Sequence, residues 1–236
     1  MTKLLHNEIF VFYAMMAICF VLLYIPVLGK YIRVLETMIH EGGHVIMALF
    51  TGTKIKKMNL FSNTAGETNI VPTNRIKTIL IGLMGYPFSS AMAWAAFWAI
   101  HHNYHRIFII ALCIITLLFL VFFIRNGFGI FWAISFITAN GYLVYANNSR
   151  MLKILSVVYA DILFLSALSS CFIIVHLAFK YPNKAGDATL INKVTHIPSQ
   201  VAAVFFLIVC TAIALITMKD FFPVLNNILT TIFDKI

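Results

Sequence analysis

Seven long apolar runs, separated by short polar or Pro/Gly breaks, organise this chain of 236 residues. They cover residues 9–28, 31–50, 78–100, 107–124, 128–145, 154–179 and 201–218. Inside lipid only helices and closed barrels satisfy their own backbone groups, and runs this continuous predict helices. Two segments break the pattern. Residues 51–74 are polar, with strand-like stretches at 54–61 and 67–71 around the turn-forming Ser62-Asn63-Thr64-Ala65-Gly66. Residues 181–200 are amphipathic and predict a short interfacial helix ending near Pro198. The expected fold is an all-α polytopic membrane protein of about seven transmembrane helices, with a small membrane-surface β-hairpin after the second. It is expected to form a single membrane-embedded domain over 1–236: a first span (1–29), a polar second helix (31–50), the hairpin region (51–74) and the remaining spans with the interfacial segment (78–218).

Composition narrows the function classes. Apolar and aromatic residues make up 61% of the chain and charged residues 11%, against roughly 25% charged in soluble globular chains. A soluble enzyme, a disordered chain, a disulfide-stapled secreted domain and a nucleic-acid-binding domain are excluded. The net charge of +9 therefore marks loops facing anionic lipid, with the bilayer as partner. Placing the hairpin on the cytoplasmic side puts ten Lys/Arg residues inside, among them Lys3, Lys54, Lys56 and Lys57. Seven are left outside, among them Lys30, Arg33 and Lys235. This asymmetry favours a cytoplasmic N-terminus. The first apolar run exceeds a signal-peptide core and lacks a small-x-small cleavage site, so it reads as a retained helix. Cys19, Cys113, Cys171 and Cys210 lie inside apolar runs and read as reduced core residues.

The second run is the unusual one. It contains Arg33, Glu36, His40, Glu41 and His44. His40 and His44 are four apart, so a helix stacks both imidazoles on one face, where they can share a Zn²⁺ ion. Glu41 falls beside that stripe, in the place of a general base acting on a metal-activated water. This is the HExxH arrangement. Glu36 lies on the same stripe one turn earlier, suited to accept the second ring N–H of His40 or to pair with Arg33. Gly42 and Gly43 leave room beside the base for a substrate backbone. Ionisable residues within a spanning helix are costly and usually functional, which weighs against simple packing.

HEGGHVIMALFTG, the following LFSNTAGET, Gly85-Tyr86 within IGLMGYPFSSAMAWA, Arg125-Asn126-Gly127-Phe128-Gly129, and Gly186-Asp187-Ala188 with Leu190 and Ile197-Pro198 occur in one order. In that order they resemble elements of the site-2-protease-like intramembrane zinc metalloproteases, in their small B-type branch, over roughly residues 31–218. The resemblance implies one zinc ion per chain, a membrane-embedded or membrane-adjacent protein substrate, two ligands from HExxH and a third, usually an aspartate, from a later segment. The matching position is Asp187, with His176 and Asp161 as alternatives. The LDG or NPDG string of better-known members is absent. Asn126 is a candidate for binding an unwound substrate or an oxyanion. The hairpin suits a substrate held extended by strand addition.

The expectation is thus a multi-pass membrane protein, placed in the cell membrane. It would act as an intramembrane zinc metalloendopeptidase with Glu41 as base and His40, His44 and Asp187 as metal ligands. The alternative is a non-proteolytic transporter or scaffold whose polar helix forms an interhelical network. A third reading is a membrane enzyme using the same metal on another substrate, such as a lipid.

Overall fold

The computed structural model describes residues 2–71 and 74–223, with side chains from Ile9 onward. Lys235, the side chain of Lys3, and Pro72-Thr73 of the polar segment lie outside the described residues. In chain order the elements are α1 (Thr2–Tyr24), α2 (Leu28–Phe50), β1 (Ile55–Leu60), β2 (Gly66–Ile70), α3 (Arg75–His101), α4 (His105–Phe122), α5 (Gly127–Ala146), α6 (Ser149–Lys180), α7 (Gly186–Thr195) and α8 (Ser199–Phe221). The seven apolar runs thus correspond to α1–α6 and α8, and the interfacial segment supplies α7.

An all-α polytopic architecture with one small hairpin is what the hydrophobic pattern predicts. Among the described residues, α3, α4, α5, α6 and α8 are each long and apolar enough to cross a membrane. The first two helices pass that test only together, as a pair bent by 102°, so there are five or six spans. Lys30, Arg33, Glu36, His40, Glu41 and His44 make α2 too polar to face lipid alone. It is instead buried inside protein on most sides, with Val34, Leu35, Met38, Ile39 and Val45 in the main core. Facing them are Ala93, Ala96 and Phe97 of α3, Trp132 of α5 and Phe164 of α6. The Trp132 indole N–H donates to the Tyr31 carbonyl.

The hairpin is fixed from both sides. β1 pairs antiparallel with β2, Met58 opposite Thr68 and Leu60 opposite Gly66, with an irregularity between Ile55 and Lys57. Its other edge is taken by the short link between α4 and α5. Met58 N–H donates to the Phe123 carbonyl (2.7 Å) and Arg125 N–H to the Met58 carbonyl (3.1 Å). Asn126 extends this ladder with its side chain, whose Oδ1 accepts from Leu60 N–H (3.0 Å) while its amide N–H donates to the Leu60 carbonyl. Arg125 folds back on α4 and donates to the carbonyls of Leu120, Val121, Phe122 and Ile124 at the helix end. β1 therefore has no free edge, whereas β2 pairs with no further strand among the described residues. Lys54, Lys56 and Lys57 are exposed at the surface of the hairpin.

Replacing Asn126 by Leu removes both side-chain bonds to Leu60. Amide exchange at Met58–Leu60 should then accelerate about tenfold, as expected for the loss of roughly 1–2 kcal/mol of local hydrogen bonding. Exchange in α8 should be unchanged. Hydrogen–deuterium exchange in detergent micelles measures both.

Candidate metal centre

The polar face of α2 meets α7 through a chain of local constraints. After α6 the chain makes a short turn at Pro182–Lys184, and Thr189 closes it by donating to the Pro182 carbonyl (2.7 Å) and accepting from Ala185 N–H (2.9 Å). Ala185 and Ala188 are buried against Ile174, Ala178, Ala203 and Phe206, which anchors α7 to α6 and α8. Asp187 sits in the first turn of α7, where the positive end of the helix dipole favours an anion. It makes no cap hydrogen bond to its own helix. Its carboxylate turns toward α2.

There three atoms converge. Asp187 Oδ2 lies 3.2 Å from His40 Nε2 and 3.3 Å from His44 Nε2, and the two Nε2 atoms are 3.2 Å apart. Ligands placed tetrahedrally at roughly 2.0–2.1 Å from a common ion would be separated by roughly 3.3–3.4 Å. The triangle therefore has the dimensions of three donors around one zinc-sized cation. His44 Nδ1–H donates to the Ile81 carbonyl (2.7 Å), which leaves the lone pair on Nε2 facing Asp187. Asp187 Oδ2 is buried, and the three atoms stand close enough to share a proton or a cation between them.

The other expected groups fall into two sets. Glu41 is buried beside the triangle, its Oε2 accepting a 2.6 Å hydrogen bond from the Thr68 hydroxyl of β2. Glu36 lines the same cavity, but among the described residues it forms neither the expected bond to His40 nor an ion pair with Arg33; Ser170 reaches its Oε2 at 3.4 Å and Ser89 lies beside the carboxylate. His176 is exposed on α6, and Asp161 is buried beside Cys19 of α1; neither joins the triangle. Asn126 does not line the cavity, and both ends of its amide are occupied by Leu60. Gly42 and Gly43 do not open space for substrate. A side chain at Gly42 would meet the Phe119 ring, and one at Gly43 the Met84 carbonyl and Phe88, so both permit helix packing.

Five positions carry weight that their sequence alone did not mark as chemical. Thr68 holds Glu41, and Thr37 donates to the Thr64 carbonyl (2.9 Å), tying α2 to the hairpin turn. Tyr86 packs edge-on against the His40 ring, centroids 4.6 Å apart. Gly85 lies so close to both imidazoles that a Cβ there would come within 2.5 Å of His40 Cε1 and 2.8 Å of His44 Cε1. Gly66 does the same for the base, since a Cβ would stand 2.5 Å from Glu41 Oε1. The cavity against which all this opens measures about 480 Å³ and runs between α2 and the hairpin turn on one side and α6 and the α6–α7 turn on the other.

A buried HExxH helix, an aspartate converging on its two imidazoles and a shell of apolar helices define a class: the metalloproteases of membranes. Comparison with known proteins agrees. A family profile described as Peptidase M50B-like matches residues 13–217, and the chain belongs to that family. No curated protein and no solved structure matches it.

Gly85→Ala should push both imidazoles off Asp187 while leaving the helices intact. Co²⁺ titration of the apoprotein followed by absorption is expected to show affinity reduced about 10–100-fold, the usual scale for disturbing the supports of metal ligands.

Proposed function

We propose that the protein is an intramembrane zinc endopeptidase, in which His40, His44 and Asp187 hold one zinc ion and Glu41 is the general base. The observation that carries this reading is the triangle of His40 Nε2, His44 Nε2 and Asp187 Oδ2, with edges of 3.2–3.3 Å. When bound, zinc would lower the pKa of a water toward 7 and polarise the carbonyl to be attacked. The protein's own groups supply the rest. Thr68 pins Glu41 Oε2, leaving Oε1, which lies over Gly66, to take a proton from the attacking water and return it to the departing amine.

The substrate is a membrane-embedded or membrane-adjacent protein segment. A spanning helix hides its peptide bonds in its own hydrogen bonds and must unwind before it is cut. β2 offers replacements, because its outer edge pairs with no other strand among the described residues and its first residue, Gly66, touches the base. An extended segment added along that edge would pass beside Glu41.

Elemental analysis of the purified protein should find about one zinc per chain, removable by chelator. Tested on a panel of unwinding-prone transmembrane peptides in micelles, Glu41→Gln is expected to keep zinc and lose about 10²–10⁴-fold in turnover. Undiminished cutting by that variant, or a wild-type protein that binds no zinc, contradicts the proposal. Thr68→Val should lower kcat about 10²-fold, the scale of a base misplaced by about an ångström, with KM and zinc content little changed. Thr68→Ser, which keeps the hydroxyl, should restore most of the rate.

A further inference from the structure

The cavity extends beyond the metal centre. One turn back along α2 stands Glu36, 6% exposed, and across from it is Ser170 of α6. Oε2 of Glu36 receives only the 3.4 Å bond from Ser170, and Oε1 is buried with no hydrogen bond. Ser89 of α3 adjoins the carboxylate, and its hydroxyl is likewise buried without a partner. Arg33 supplies no counter-charge at contact distance, since the ion pairs found among the described residues are those of Asp187 with the two imidazoles. A carboxylate inside a membrane bundle is costly unless it is paired and hydrogen-bonded. Glu36 is met by hydroxyls but by no Lys or Arg at ion-pair distance among the described residues, and it stands on a wall of the cavity.

We infer that Glu36, with Ser170 beside it, is a substrate subsite that accepts a cationic side chain, lysine or arginine, of the segment being cut. The inference rests on the peptidase reading and adds to it a specificity that HExxH does not imply. A helical turn is about 5.4 Å, and an extended chain advances roughly 3.3 Å per residue, so the selected side chain lies about two residues from the scissile bond. The other acidic groups of the cavity are engaged: Glu41 by Thr68, Asp187 by His40 and His44. Lys184 stands next to Asp187 at the α7 end and turns a cation away from there. Ile173, Ile174 and Leu177 give the α6 wall the apolar surface that the remaining side chains of a membrane segment require. A lysine within a spanning segment is itself costly in lipid. Moving it beside Glu36 satisfies both charges together, so the substrate's least stable residue becomes its recognition point.

The test uses full-length, zinc-loaded Glu41→Gln protein in micelles, which binds without cutting. Its ligands are labelled Leu/Ala transmembrane peptides that differ only at one central residue, Lys, Leu or Glu. The Lys peptide should bind about tenfold more tightly than the Leu peptide, as one charge-assisted hydrogen bond implies, with the Glu peptide weakest. Adding Glu36→Gln should bring Lys and Leu level with zinc content unchanged. Equal affinity for Lys and Leu before any change at Glu36 overturns the inference, as does a Lys preference that survives Glu36→Gln. Cleavage of the same peptides by protein with Glu41 intact reports separately on the peptidase reading. Selective binding with no cutting would retain the subsite and refute the peptidase.

Discussion

An aspartate and two imidazoles, contributed by helices far apart in sequence, meet inside an apolar bundle with their polar atoms 3.2–3.3 Å from one another. Such a meeting is unfavourable on its own. Ionisable groups out of water need partners, and lone pairs at this separation need a cation or a proton between them. Much of the surrounding structure exists to hold the three together. α2 is enclosed by protein, the turn at Pro182–Lys184 is closed by Thr189, and α7 is anchored through Ala185 and Ala188. Gly85 lets α3 approach the imidazoles as closely as it does. A binding site thus emerges from helices whose hydrophobic packing alone would not specify it.

The hairpin joins chemistry to recognition. β1 is held on one edge by the α4–α5 link and the Asn126 amide, so β2 is presented at a fixed height beside α2. The same strand carries Thr68, which fixes the base, and Gly66, which makes room for it. In the proposed reaction, a segment docking on β2 would touch the element that positions Glu41, so binding and proton transfer would share one support.

Much of this was legible in the sequence, for identifiable reasons. Helical apolar runs, the i,i+4 spacing of His40 and His44, and the turn chemistry at 62–66 are local patterns, and local patterns survive folding. The crossing count was harder, because hydropathy along the chain does not reveal that α1 and α2 bend by 102° and that α2 is shielded by neighbours. Asp187 was distinguishable from His176 and Asp161 only through resemblance, since its approach to His40 depends on how α7 packs. Thr68, Tyr86 and Gly85 are common residues whose roles come from tertiary neighbours. Asn126 illustrates the converse: a polar residue in a motif that suggests catalysis, engaged instead in bracing a strand edge.

The coordination of the zinc ion proposed for this site is the most direct measurement of the central claim. X-ray absorption at the zinc edge of purified protein should show nitrogen and oxygen scatterers at about 2.0–2.1 Å with the multiple-scattering signature of two imidazoles, and Asp187→Ala should remove one oxygen scatterer or the metal itself. A spectrum dominated by sulfur, or one unchanged by substitution of His40, His44 and Asp187, would contradict the account.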